Sequence, residues 1–196
     1  MTLFEAVDLT REPWFRSRSL ALAAGEVVVL RGPSGSGKSL FLRTLADLDP
    51  RDGGGLVLEG RDVESMTPQR WRRSVRYVQQ RPPRWPGTVG ACIERLEHAA
   101  GEGPTKPLGV PPGLRADQRV ADLSGGEAQR LALHVALGTG ARVLLLDEPT
   151  SALDTESARD AERRLVDWVE AGGAALWVTH DEGLAGRVGA REVAFA

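Results

Sequence analysis

The sequence has little that would tie it to a membrane, to nucleic acid or to an oxidising compartment. A single cysteine, Cys92, cannot form a disulfide within the chain, which fits a reducing compartment. The longest unbroken apolar runs, such as VVVL and VLLL, are far shorter than the ~20 residues that span a bilayer as a helix. The net charge of −2 gives no overall basic surface. We therefore expect a cytoplasmic protein whose partner does any membrane crossing, and no direct contact with nucleic acid.

Strands and helices alternate along most of the chain. The short apolar runs EVVVLRG, RVLLLDEP and AALWVTH are typical of strands buried on both faces of a parallel sheet. KSLFLRTLADL has helical periodicity that would turn Leu40, Phe41, Leu45 and Leu48 inward, whereas LFEAVDL alternates and is interpreted as an edge strand. These patterns predict an α/β fold, a mostly parallel sheet covered by helices, with an antiparallel β edge.

The middle of the chain differs in composition from its flanks. QRPPRWPG is loop-like, TVGACIERLEHAA is helical in pattern, and GEGPTKPLGVPPG has too much glycine and proline for a packed element. We expect one domain over residues 1–196, with a core formed by 1–79 and 139–196 and a short, mostly helical subdomain over 80–138. The basic run RWRRSVR before this subdomain is interpreted as a solvated helix face.

GPSGSGKS follows a predicted strand and opens a predicted helix, which is the context of a phosphate-binding loop. In such loops the backbone N–H groups surround the phosphates, the lysine reaches the β- and γ-phosphates, and the last hydroxyl ligates Mg²⁺. The pattern predicts a P-loop nucleotide site with Ser39 as a metal ligand. Its residues are Gly32, Pro33, Ser34, Gly35, Ser36, Gly37, Lys38, Ser39 and Leu40.

Two further motifs bear on phosphate chemistry. VLLLDEPT places Asp147 and Glu148 at the carboxyl end of a buried strand, where α/β sheets hold ligands. Asp147 would hold Mg²⁺ through water, and Glu148 would polarise an attacking water. LSGGE at residues 123–127 precedes a helix, so its glycines offer a second helix start suited to an anion. The sequence therefore poses the question of why one chain has two phosphate-binding segments.

The chain resembles the ATP-binding cassette (ABC) ATPases, the nucleotide-hydrolysing subunits of ABC transporters. Six motifs occur in that family's order: GPSGSGKS, YVQQ, LSGGEAQR, VLLLDEP, SALD and VTHD. The resemblance implies that the second segment binds the γ-phosphate of ATP held by another copy in a head-to-tail dimer. The residues implied in that contact are Ser124, Gly125, Gly126 and Glu127, with Asp154 at the dimer interface.

The resemblance also implies roles in hydrolysis of MgATP to ADP and phosphate, with ATP and Mg²⁺ as cofactors. Gln80 would contact Mg²⁺ or the lytic water and hinge the helical subdomain, with Gln79 as the alternative. His180 would contact the γ-phosphate and steady the water. Lys38 and Glu148 complete the catalytic set.

Cassettes stack adenine on an aromatic residue ahead of the first strand pair, a position that falls near Arg11 here. Trp14 and Phe15 are the other candidates for this role.

The resemblance favours the ATPase subunit of a transporter, acting beneath a separate polytopic membrane permease at the inner face of the cell membrane. LFLRTLADLDPRDGG and ALWVTHDE are similar to cassettes of the bacterial metal (iron) exporter type. The alternative is a soluble cassette ATPase that powers a cytosolic assembly, related to iron–sulfur or nucleic-acid biology. A binding module without hydrolysis is less favoured, because every catalytic position is filled.

Overall fold

Two β-sheets form the framework of the molecule. The computed structural model describes residues 1–99 and 108–195. The strands in these residues are β1 (Thr2–Arg11), β2 (Phe15–Ala23), β3 (Val27–Arg31), β4 (Gly53–Leu58), β5 (Arg61–Asp62), β6 (Val75–Val78), β7 (Val143–Asp147), β8 (Ala174–Val178) and β9 (Arg191–Ala194). The helices are α1 (Lys38–Leu45), α2 (Pro68–Ser74), α3 (Val89–Ala99), α4 (Gly125–Gly138), α5 (Thr155–Glu170) and α6 (Leu184–Val188).

The larger sheet is parallel, with the strand order β6-β7-β8-β3-β9. Every residue of β7 and β8 is buried, because apolar groups cover both faces. Val28 and Leu30 pack on the side of α1, and Val27 and Val29 pack on the side of α5 and α6. This arrangement confirms the predicted helix-covered α/β fold.

The smaller sheet is antiparallel, with the order β2-β1-β4-β5. The interpretation of LFEAVDL as an edge strand is wrong, since β1 pairs with β2 on one side and β4 on the other. The alternation in β1 arises because one face of the sheet packs on the core and the other faces solvent. Phe4 and Ala6 are buried, whereas Val7 is 46% exposed. Alternation reports on the faces of a sheet and not on its edges.

The helix after the phosphate loop is shorter than its pattern predicts. Phe41 and Leu45 are buried as expected, and Leu40 packs against the same core. Leu48 is instead 46% exposed. The helix ends at Leu45, and Asp47 has a left-handed φ of 55°, which takes the chain out of helical register before Leu48.

The middle of the chain has an apolar cluster of its own. Val89, Cys92 and Ile93 of α3 pack against Leu131 and Val135 of α4. The Gly/Pro-rich segment predicted at 101–113 lies partly outside the described residues, which resume at 108. The boundaries at 80 and 138 remain a prediction. In the described part of the chain, no helix combines the length and apolarity needed to cross a bilayer.

Candidate functional site

The phosphate loop lies between β3 and α1. Gly35 and Gly37 have left-handed φ angles of 77° and 94°, which only glycine adopts without strain. Lys38 is 7% exposed, and its ammonium group donates to the carbonyls of Gly32 at 2.8 Å and Pro33 at 2.6 Å. No side chain of residues 1–99 or 108–195 caps α1, so within these residues the N–H groups at the start of the helix have neither a side-chain nor an intrahelical acceptor. The loop therefore combines a buried cation with free backbone donors.

Asp147 ends β7 and is 5% exposed. The hydroxyl of Tyr77, on the neighbouring strand β6, donates to one of its carboxylate oxygens at 2.9 Å. Burial, together with the nearby carboxylate, raises the pKa of Tyr77 well above its usual range, so the tyrosine stays a donor. This contact fixes the orientation of the Asp147 carboxylate.

Glu148 is engaged on both carboxylate oxygens. The Gln80 amide donates to Oε2 at 3.1 Å, and Nε2 of His180 lies 3.3 Å from Oε1. Glu148 itself has a left-handed φ of 47°, and its N–H donates to the carbonyl of Val178 at the end of β8. The glutamate, which follows β7, is therefore held between the loops that leave the strands on either side of it, β6 and β8. Gln79 instead lines a neighbouring apolar groove.

These groups share one cleft of about 410 Å³. Trp14 and Val178 line it together with most of the predicted phosphate and catalytic residues: Ser34, Gly35, Gly37, Lys38, Ser39, Leu40, Gln80, Asp147, Glu148 and His180. Gly32 and Pro33 contribute through the carbonyls that accept from Lys38. Ser36 does not line the cleft, and its buried hydroxyl has no hydrogen-bond partner among the described residues.

The donor set of the cleft suits Mg²⁺. Ser39, Gln80 and Asp147 offer a hydroxyl, an amide and a carboxylate oxygen, which are ligands that Mg²⁺ accepts. The described residues contain no cluster of three or more His, Cys, Asp or Glu side chains that could hold a metal by themselves. Mg²⁺ commonly binds through one or two protein oxygens plus nucleotide phosphates, so these residues fit that mode.

The second glycine segment lies outside this cleft. The Ser124 hydroxyl accepts from the N–H of Glu127 at 3.3 Å, and the Glu127 carboxylate accepts from the N–H of Ser124 at 2.8 Å. This reciprocal pair caps α4 and lowers the pKa of Glu127. A Cβ at Gly126 would lie 3.0 Å from the carbonyl oxygen of Ala152, so a larger residue would crowd that backbone.

Asp154 is the N-cap of α5 and follows Ala152 by two residues. Its carboxylate accepts from the N–H of Ser157 at 2.9 Å and from the Ser157 hydroxyl at 2.8 Å, which lowers its pKa. A Cβ at Gly126 would also lie 3.6 Å from Leu153, which directly precedes Asp154, so Asp154 lies close to this glycine segment. Neither Asp154 nor any of residues 124–127 lines the cleft around Lys38.

The three candidates for adenine contact have different surroundings. Phe15 is 4% exposed and packs edge-on against Phe41, with ring centroids 5.3 Å apart, so it belongs to the core. Trp14 is 56% exposed and lines the cleft. Arg11 does not line the cleft, and its Nε is buried with no hydrogen-bond partner in the part of the chain that the structure describes. The structure therefore presents Trp14 to the cleft.

Sequence reasoning missed Gln129. This residue of α4 is fully buried, and its amide donates to the carbonyls of Glu148 at 3.2 Å and Gln80 at 3.5 Å. It connects α4 to the two loops that meet at the glutamate. The available signal was a polar residue three and four positions before the buried apolar residues Ala132 and Leu133 of the same helix.

Comparisons with known proteins find relatives in sequence and in fold. A family model described as "ABC transporter" matches residues 15–151. The uncharacterized ABC transporter ATP-binding protein y4fO of Sinorhizobium fredii is 39% identical over 85% of this chain. The probable iron export ATP-binding protein FetA of Escherichia coli is 35% identical over 84% of it. The chain spans 52% of the length of the first relative and 76% of the second.

Solved structures agree with the fold. An ATP-binding subunit of an ABC transporter superposes with a TM-score of 0.87 at 23% identity, over 95% of this chain and 83% of that one. A dimeric, post-hydrolysis ATP-binding cassette bound to ADP and Pi superposes with a TM-score of 0.79 at 24% identity, over 98% and 94% of the two chains.

Proposed function

We propose, because this chain belongs to the ABC transporter family, that it binds MgATP and hydrolyses it to ADP and phosphate. The observation that supports hydrolysis is the arrangement at Glu148, whose two carboxylate oxygens contact Gln80 and His180 in the cleft that Lys38 and Asp147 also line. A nucleotide-binding module without catalysis would have no need to orient a carboxylate in this way.

Each residue would have a separate task in the reaction. Lys38 stabilises negative charge on the transferred phosphoryl group, and Ser39, Asp147 and Gln80 hold Mg²⁺, which neutralises charge on the phosphates. Glu148 orients the attacking water and accepts its proton. His180 keeps the carboxylate in place and contacts the γ-phosphate.

The segment from Ser124 to Glu127 would serve the nucleotide of a second copy. Ser124, Gly125 and Asp154 are exposed, lie near one another, and are absent from the lining of their own chain's cleft. A head-to-tail homodimer would bring this surface over the other chain's phosphate loop and complete two sites. Contacts made only in that closed dimer would let ATP shift the population towards it.

Trp14 would stack on adenine. Among Arg11, Trp14 and Phe15, it is the one that both lines the cleft and leaves an aromatic face exposed. Stacking on an aromatic side chain is a general way to bind a base.

A separate membrane permease would dock in the apolar groove next to the Gln80 loop. Leu48, Tyr77, Pro83, Trp85 and Leu96 line this groove of about 370 Å³. Docking would hold the protein at the cytoplasmic face of the membrane, and Gln80 would connect the docked permease to the cleft. Export of iron is the proposed transport reaction, supported by similarity to FetA.

Glu148→Gln tests the proposed hydrolysis. The variant keeps shape and hydrogen bonding but loses the base, so its kcat should fall by at least about a hundredfold while ATP binding persists. Glu170→Gln, at an exposed position at the end of α5, is the matched control and should hydrolyse normally. Turnover by the Glu148 variant at the wild-type rate would contradict the proposal.

The same variant tests the proposed partner. Tagged Glu148→Gln protein is purified with MgATP from detergent-solubilised native cells, and co-purifying proteins are identified by mass spectrometry. A stoichiometric polytopic membrane protein is the expected result. A soluble complex without an enriched membrane protein would instead support the cytosolic alternative and leave the proposed catalytic roles unchanged.

A further inference from the structure

The loop that contains His180 is held by two arginines from outside it. On one side, Arg187 of α6 donates to the Asp181 carboxylate, with a distance of 3.3 Å from its NH1 to Oδ1. On the other side, Arg31 at the end of β3 donates to the carbonyl of Asp181 at 3.1 Å and to that of Glu182 at 3.0 Å. Both residues that follow His180 are therefore fixed by charged donors.

Arg187 is itself held by a buried acid. Glu162 of α5 is 6% exposed, and its carboxylate accepts two hydrogen bonds from Arg187, one from Nε at 3.0 Å and one from NH2 at 2.7 Å. An unpaired buried carboxylate would destabilise the fold, so Glu162 requires this bidentate contact with Arg187. The same guanidinium reaches Asp181 and lowers its pKa. Arg187 therefore links the His180 loop to the buried Glu162 of α5.

Arg31 provides a second tie, to the phosphate-binding side. It directly precedes Gly32, the first residue of the phosphate loop, and it is oriented by Glu192 of β9 at 2.9 Å. Its two backbone acceptors lie in the loop after β8, which is the neighbour of β3 in the sheet. The strand that leads into the phosphate loop and the loop with His180 are thus linked through one side chain.

We propose that Arg187 and Arg31 are positioning residues that hold His180 against Glu148. The inference rests on the proposed role of His180 in hydrolysis and adds a reason for its placement. His180 has a 57% exposed side chain and, among residues 1–99 and 108–195, one polar contact, to Glu148, so its own packing does not hold it there. Its neighbours in sequence do so instead.

Arg187→Met tests the proposal with Arg159→Met as the matched control. Arg159 also pairs with Glu162, at 3.3 Å, but makes no bond to Asp181. The Arg187 variant should lower kcat by about tenfold and change KM for ATP by less than about twofold, because a misplaced group affects the transition state more than ground-state binding. The control should keep the wild-type kcat.

A double-mutant cycle separates positioning from general damage to the fold. In a His180→Ala background, Arg187→Met should cause little further loss of kcat, since the group that it positions is gone. Independent losses that multiply in the double variant would overturn the proposal. Arg31→Met should behave in the same way, and it provides a second variant if Arg187→Met does not fold.

A spectroscopic readout gives independent evidence. The three histidines give few ¹H–¹³C ring signals, and the His180 signal is assigned by its absence in His180→Ala. In Arg187→Met this signal should shift or broaden while those of His98 and His134 stay in place. If Arg187→Met leaves the His180 signal unchanged and has the same kcat as the Arg159→Met control, the positioning role is overturned. The proposed role of His180 in hydrolysis would then still stand. Wild-type kcat in His180→Ala would contradict the proposed role of His180 itself, and the inference with it.

Discussion

Two helix starts in this chain are built in opposite ways. At α1, no side chain caps the helix, and buried Lys38 sits within the loop that precedes it. At α4, Ser124 and Glu127 cap the helix reciprocally. The first start has free donors and a cation of its own, whereas at the second the N–H groups of Ser124 and Glu127 are already satisfied and a carboxylate lies beside them.

This difference bears on what each start can bind alone. A phosphate approaching α1 meets Lys38 and free N–H groups, which favour an anion. A phosphate approaching α4 meets the charge of Glu127, so we expect weak binding unless another chain brings a lysine and Mg²⁺ with the nucleotide. The second helix start is therefore suited to a phosphate that is already held elsewhere.

The sharpest contrast between the two starts should come from Gly126→Val and Lys38→Ala. Gly126→Val should lower kcat by about a hundredfold, because the new side chain crowds Ala152 and would block the donors proposed to contact the γ-phosphate. Its affinity for ATP as a monomer should stay close to wild type. Lys38→Ala should instead weaken ATP binding by about tenfold or more. Calorimetric titration and steady-state kinetics measure both quantities.

Equal loss of ATP affinity in the two variants would contradict this division. It would mean that residues 124–127 contact nucleotide bound to their own chain. Thermal melts of both variants check that each is folded before the comparison is made.

Removal of the Trp14 side chain should weaken nucleotide binding at α1 and leave the function of the α4 start unchanged. Trp14→Ala should weaken ATP binding by roughly 1–3 kcal/mol, the usual worth of base stacking, with kcat at saturating ATP nearly unchanged. Trp14→Phe is the control and should retain most of the affinity. If Trp14→Ala binds ATP as tightly as wild type, adenine stacks elsewhere and Arg11→Ala becomes the next variant to measure.

The smallest effect should come from the cap at α4. Ser124→Ala should lower the free energy of unfolding by about 1 kcal/mol, measured by urea denaturation, because the N–H of Glu127 loses its acceptor. The N-cap of α1 is Gly37, which has no capping side chain, so no substitution of that kind can destabilise α1. Ser124→Asp separates the two roles of the serine: it restores a cap but places a negative charge where phosphate would bind. It should therefore be stable and inactive, and an active Ser124→Asp would contradict the phosphate role.

Much of the fold was predictable because the signals were local. The apolar runs of β3, β7 and β8 and the glycine spacing of the phosphate loop depend on a few consecutive residues. The strand β2 was missed, since FRSRSLALA mixes arginines with small residues and becomes a strand through pairing with β1. Leu48 was misplaced because the end of α1 depends on the backbone at Asp47.

The candidate site likewise contains residues that local sequence predicts and contacts that it does not. Lys38 and Glu148 lie in sequence motifs that predict their roles. The contacts of Gln129, Glu162 and Arg187 depend on which segments meet in space, and no spacing in the sequence reveals that. The choice of Gln80 over Gln79 at Glu148 was likewise left open by sequence and follows from the direction of the chain after β6.

Mixing two inactive variants tests most directly whether the second helix start serves another chain. Lys38→Ala and Gly126→Val are each assayed alone and then at equal concentration. In a head-to-tail dimer, the mixed pair restores one intact site, formed by Lys38 of one chain and Gly126 of the other. The mixture should recover about a quarter of the wild-type ATPase rate if dimers form at random and sites act independently. A rate no higher than the average of the two variants alone would contradict a shared site.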